Sequence, residues 1–177
     1  MRVRELAAVG SLADRYQVCD HEARHAVGHH WYGRPVKEID TNRPRTRSTG
    51  WVVPGESAPL TLPPGLEGER ALSWIDGAVF RDSLATAVIA RMGGLMAGDD
   101  WDGVTCSHDR ATVARARPTS WDLEHWETLV ELRAEEIADD RGYRAAHAVL
   151  ADGLTDWPAL KMPGATAFVI IGENLRN

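Results

Sequence analysis

Cysteine is nearly absent from this 177-residue chain: Cys19 and Cys106 are the only two, and no CxxC spacing occurs. That scarcity excludes a secreted disulfide scaffold. No apolar h-region precedes them, so the expected compartment is the reducing cytosol, a cytoplasmic localisation. Lysine is equally scarce, with Lys37 and Lys161 alone, and arginine carries the rest of the basic charge. We read this as compositional bias rather than chemistry. The net charge of −6 gives no electrostatic footprint for nucleic acid, and the strip from Arg43 to Arg47 is too short to reverse it. No apolar run approaches the roughly 20 residues that span a bilayer, which excludes a membrane partner. Internal repeats and low-complexity tracts are also lacking.

What remains is ordinary for a globular protein. A hydrophobic fraction of 44% with 26% charged residues suits one domain with a sizeable core. We expect a single domain over 1–177, with its core at about 15–150 and a C-terminal tail at 151–177. Leu6 to Val18 reads as a partly helical lead-in, and Asp20 as an N-cap or first-turn residue. The next helix should run to about Tyr32, where Gly33 and Pro35 stop it. Val36 to Asp40 alternates apolar and polar, and Gly50 to Val53 is β-prone, so a hairpin should follow that helix.

Helical periodicity returns at Leu72, Ile75, Val79, Leu84, Ala87, Val88, Met92 and Met96. It fits one helix broken near Gly77, or two in succession, ending at Gly93-Gly94 or soon after. Asp99 to Cys106 is an acidic turn, and His108 to Arg117 a short helix ended by Pro118. Leu123, Trp126, Leu129, Val130, Leu132 and Ile137 give an amphipathic helix within Trp121 to Asp140. Tyr143 to Leu150 is another helix after the break at Arg141-Gly142. The run Ala167 to Ile171 fits strand or helix. The fold class is therefore mainly α, with a small β hairpin.

The densest chemistry lies at His21-Glu22-Ala23-Arg24-His25, an HExxH sequence. Histidines four apart share one helical face and can ligate one metal ion. The glutamate between them can reach the attacking water as general base. This pattern points to zinc-dependent peptide hydrolysis, with Zn2+ as cofactor and a polypeptide as substrate. Cys19, offset by two from His21, faces elsewhere on the helix and reads as a small buried residue.

A catalytic zinc site needs three protein ligands and one open position. The HExxHxxGxxH type requires histidine at position 31, where this chain has Trp31. His29 would extend the stripe, but it lies about 12 Å along the helix from His21, too far for one ion. His29 and His30 read as helix-end or supporting groups, and Glu38 falls in the hairpin. Asp99, Asp100, Asp102, His108 and Asp109 remain. The first three read as a solvated loop, whereas Asp109 opens a helix and can project toward the motif helix.

His21-Glu22-Ala23-Arg24-His25-Ala26-Val27 resembles the HEAGHAV-type helix of the FtsH-type AAA+ zinc proteases. Gly93-Gly94, then Ser107-His108-Asp109, then Ala111-Thr112 and Ala114-Arg115 resemble later landmarks of that peptidase domain. The likeness covers roughly residues 15 to 150 and includes the Glu124-His125-Trp126 helix. It implies a helical, zincin-like metallopeptidase domain with His21, His25 and Asp109 as ligands and Glu22 as base. Arg24 replaces the usual glycine, Gly98 stands where an acidic residue is expected, and the Ala-Thr pair lies closer to Asp109. No phosphate loop of the Gly-x-x-x-x-Gly-Lys-Ser/Thr type occurs, so no ATPase module accompanies the domain.

The expectation is a motor-free zinc peptidase acting on unfolded or flexible polypeptide. Gly50, Trp51, Val52 and Val53 would align the substrate by strand addition, and Trp31 and Trp51 are candidates to line the site. The likeness also implies a homo-oligomer. A non-catalytic, metal-stabilised interaction domain of peptidase descent is the alternative.

Overall fold

The computed structural model describes residues 12–41, 51–56, 59–95, 101 and 106–175. Gly50, Asp99, Asp100 and Asp102 lie outside the described residues. Among the described residues the protein is mainly helical, with one small antiparallel sheet. None of these helices is long and apolar enough to cross a membrane.

The first helix, α1, runs without interruption over Leu12–Trp31. Asp20 is therefore mid-helix and is not a cap. No proline occurs between positions 12 and 31, and nothing breaks the backbone ladder at Asp20. Its carboxylate bonds sideways instead, to His147 at 2.9 Å and Arg24 at 3.4 Å. The expected hairpin forms from β1 (Val36–Asp40) and β2 (Trp51–Pro54), paired antiparallel with Ile39 opposite Val52. The register slips between Val36 and Glu38, leaving Lys37 as the extra residue of a bulge.

The helix α2 (Gly68–Gly93) is continuous through Gly77. Its burial is lopsided. Ala87, Val88 and Met92 are buried as their periodicity predicts, but Leu72, Ile75 and Val79 are exposed. Periodicity identifies a face but not whether a neighbour reaches it, and the first turns of α2 lie beyond the packed part. Next come α3 (Ser107–Ala116), α4 (Leu123–Ala138) and α5 (Arg141–Asp156). The Asp122 and Asp140 side chains accept from the amides of His125 and Tyr143, capping α4 and α5. On α4 the inward face is Trp126, Val130, Ala134 and Ile137, while Leu123 and Leu132 are exposed. The Trp126 indole donates to the Val113 carbonyl at 2.9 Å, which ties α4 to α3.

The C-terminal stretch is built into the sheet and core rather than trailing from them. A third strand, β3 (Lys161–Pro163), pairs antiparallel with the other edge of β1, giving the order β2-β1-β3. Ala167 to Ile171 belongs to a helix, α6 (Gly164–Asn174), packed against α5 and β1. A Cβ at Gly164 would lie 1.7 Å from the Val36 carbonyl oxygen, so only glycine lets α6 start against β1. α1 lies at the centre, contacting α2, α5, α6 and both strands of the hairpin.

Candidate metal centre

Two elements supply the core of the site. α1 presents His21 and His25 one turn apart, and the first turn of α3 presents Asp109. The two Nε2 atoms are 3.0 Å apart, and Asp109 Oδ2 lies 3.4 Å from His21 Nε2 and 3.6 Å from His25 Nε2. Among the described residues this is the one His/Cys/Asp/Glu group whose ligand atoms converge for a cation.

The donor set fits zinc. The centre of that triangle is about 1.9 Å from each atom, a spacing near the about 2.0–2.1 Å that zinc ligands need, so these three residues would hold such an ion. Two imidazoles and one carboxylate leave a fourth position open.

His25 is oriented from behind. Its Nδ1 lies 2.8 Å from the Ile89 carbonyl oxygen on α2. A carbonyl only accepts, so Nδ1 carries the hydrogen and donates it, and Nε2 is the nitrogen that faces the site. Gly93, one turn further along α2, lies against both rings. A Cβ there would meet His21 Cε1 at 2.6 Å and His25 Nε2 at 2.6 Å. The sequence shows Gly93 as a helix ending and as part of the Gly93-Gly94 pair of the family likeness; its bare backbone is what admits the two rings.

Burial and charge act together here. Burial lowers the proton affinity of His25, yet the Asp109 charge and hydrogen bond outweigh it and raise its pKa to about 9. Burial likewise works to raise Asp109, but His25 and His21 hold its carboxyl well below the usual carboxylate range. Glu22 is buried, and that burial lifts its carboxyl above its ordinary value against the pull of His25 and His21. The Val52 amide of β2 donates to Glu22, so the hairpin reaches the base directly.

A pH dependence follows for metal uptake. In the metal-free protein His25 is protonated below about 9, and a metal must displace that proton. The apparent zinc affinity should therefore rise about tenfold per pH unit below about 9 and level off above it. The raised pKa also stabilises the metal-free fold fully below 6.5, and that contribution is lost as pH climbs through about 9. Chelator competition at stepped pH reads the first effect, and a flat profile would contradict this coupling.

The remaining candidates fall elsewhere. His108 is not in the triad; it is exposed, and its ring lies 4.9 Å from that of Trp51. His29 is half-buried beyond the triad, its pKa pushed down to about 4 by burial and by the His25 charge. His30 packs on Phe168, Glu38 pairs with Lys161, and Cys19 is fully buried. Trp31 sits at the end of α1 beside Tyr143 and does not line the site. Trp51, Val52 and Val53 form the sheet edge next to it.

Sequence reasoning missed the brace behind the site. His147 on α5 pairs with Asp20, and the Tyr143 hydroxyl donates to the Arg24 carbonyl at 3.0 Å. These contacts fix the face of α1 turned away from the metal ligands. Nothing in the local sequence pairs Asp20 with a residue 127 positions away. No protein-family model matches the chain, and no curated protein matches it.

Proposed function

We propose that this chain is a zinc-dependent peptidase of the FtsH-like, zincin type, and cytoplasmic. One observation carries the reading: a buried carboxylate, Glu22, lies beside three converging ligand atoms from His21, His25 and Asp109. A purely structural metal site is closed by four protein ligands and has no use for a buried carboxylate that does not ligate. When bound, zinc would supply Lewis-acid chemistry, lowering the pKa of a water toward neutrality.

The chain's own residues do the rest. The Ile89 carbonyl holds His25 with Nε2 facing the ion site. Glu22 takes the proton as the water oxygen bonds to the carbonyl carbon, then gives it to the amine nitrogen as the C–N bond breaks. Burial raises its proton affinity, which suits a group that must both accept and return a proton. β2 lies beside Glu22, and Trp51, Val52 and Val53 would flank an extended substrate there. Such a substrate must already be unfolded or flexible.

The test is zinc content by elemental mass spectrometry on tag-free protein, followed by cleavage assays on unfolded polypeptide. We expect about one zinc per chain, as one three-ligand site requires, and hydrolysis that stops on chelation and returns with zinc. No retained zinc after loading and desalting would sink the reading.

A further inference from the structure

The first half of α2 carries apolar surface that the fold does not use. Leu72, Ile75 and Val79 recur at spacings of three and four, so their side chains lie in one stripe along two turns. They remain 63%, 38% and 54% exposed, although Ala78 beside them is buried. Single exposed aliphatics are ordinary on a protein surface, but three contiguous ones form a patch of the kind that marks an interaction. Helices draw most of their stability from packing such a face, and among the described residues no element covers this one.

The borders of the stripe say what fits it. Glu69 and Asp76 stand one turn before and one turn after Leu72 on one side, and Asp82 stands one turn beyond Val79 on the other. All three are exposed. Arg34 pairs with Asp82 at 2.5 Å, yet that carboxylate stays 77% exposed. Among the described residues no basic side chain pairs with Glu69 or Asp76. The exposed arginines of this half, Arg70 and Arg81, lie on the helix face away from the stripe. A second copy docked through the same stripe would set acidic border against acidic border, whether the helices ran parallel or antiparallel. An anionic lipid surface meets the same repulsion.

We infer that Leu72, Ile75 and Val79 form a docking surface for an amphipathic helix of a partner protein, one whose apolar stripe is bordered by Lys or Arg. Aliphatic side chains of the partner cover the three, and its cations meet Glu69, Asp76 and Asp82 at the rim. Charge there sets partner choice and orientation more than affinity. Val79 lies about 21 Å along α2 from Gly93, so a docked helix leaves the ion site open. The surface therefore stands apart from the peptidase reading.

The test uses the full-length, zinc-loaded protein and three labelled synthetic peptides. One is a helix former with Leu at i, i+3 and i+7 and Lys borders, the second has Glu borders, and the third scrambles the Lys peptide to break the stripe. Fluorescence anisotropy should show the Lys-bordered helix binding about tenfold more tightly than either of the others. Leu72→Gln combined with Val79→Gln should weaken it about tenfold or more. Both positions are exposed, so circular dichroism and zinc content should stay parental. Glu69→Lys with Asp76→Lys should turn the preference toward the Glu-bordered helix, and decides alone should the Gln pair unfold. Equal binding of the three peptides, no binding, or a preference that survives either double variant would overturn the surface. A dimer in sedimentation that the Gln pair dissociates would make the occupant a second copy. Binding to phosphatidylserine vesicles lost in the Gln pair would make it a lipid surface. Either result overturns the helical partner.

Discussion

Replacing Gly93 by alanine is expected to cost about 100-fold or more in zinc affinity while leaving the fold intact. The added methyl would lie 2.6 Å from both His21 Cε1 and His25 Nε2 and 2.7 Å from His25 Cε1. Real Cβ contacts do not come that close, so something must shift. The His25 ring has little room to give, because it is buried and held 2.8 Å from the Ile89 carbonyl. Ile89 and Gly93 lie one turn apart on the same helix, so backing α2 away to make room also draws the carbonyl off Nδ1. Either response spoils the convergence of the three ligand atoms. Alanine is the better helix former by about 1 kcal/mol, so helicity should not suffer. Gly77→Ala is the control on the same helix: its Cβ meets only Arg81 Nη1 at 3.4 Å, an ordinary contact. That variant should keep parental zinc affinity and gain roughly 0.5–1 kcal/mol in chemical denaturation. Chelator competition reads both, and a Gly93→Ala protein with parental affinity would show that the rings adapt.

That contrast marks where sequence reading reaches and where it stops. His21, Glu22 and His25 were legible because one helix holds all three at fixed spacing, and no tertiary knowledge is needed to see it. Asp109 lies 84 residues after His25, on another helix, and only its place at a helix start and the family likeness set it apart from the nearby aspartates. The roles of Ile89 and Gly93 were illegible for a plainer reason. One acts through a backbone carbonyl and the other through a missing Cβ, and neither feature belongs to a residue type that signals chemistry.

The fold divides in the same way. Hairpin and helices announce themselves through local alternation, stop signals and caps. β3 does not: it is three residues long, ends in proline, and exists because β1 offers it an edge. Asp20 misleads for a related reason. Aspartate favours helix starts, but here a partner from α5 satisfies it mid-helix. Leu72, Ile75 and Val79 carry the right period for a buried face and remain exposed, because burial depends on which neighbours the chain brings near.

Glu22→Gln separates a peptidase from a protein that only holds metal. The amide keeps the size and the oxygen that accepts from the Val52 amide, so the contact between α1 and β2 is retained. It removes the ability to take a proton. His21, His25 and Asp109 are untouched, and the variant should bind zinc at the parental stoichiometry. Turnover of an unfolded polypeptide should nonetheless fall by about 10²–10⁴-fold, the usual contribution of a positioned general base. Glu22 is buried, so the loss cannot be ascribed to a surface charge that steers substrate. Measured KM should change far less than kcat, because the carboxylate acts on the proton in flight rather than on the docked chain. A variant that hydrolyses at the parental rate would remove Glu22 from the mechanism. Zinc lost together with activity would instead make the carboxylate a support of the ligand helix, and its burial a matter of architecture.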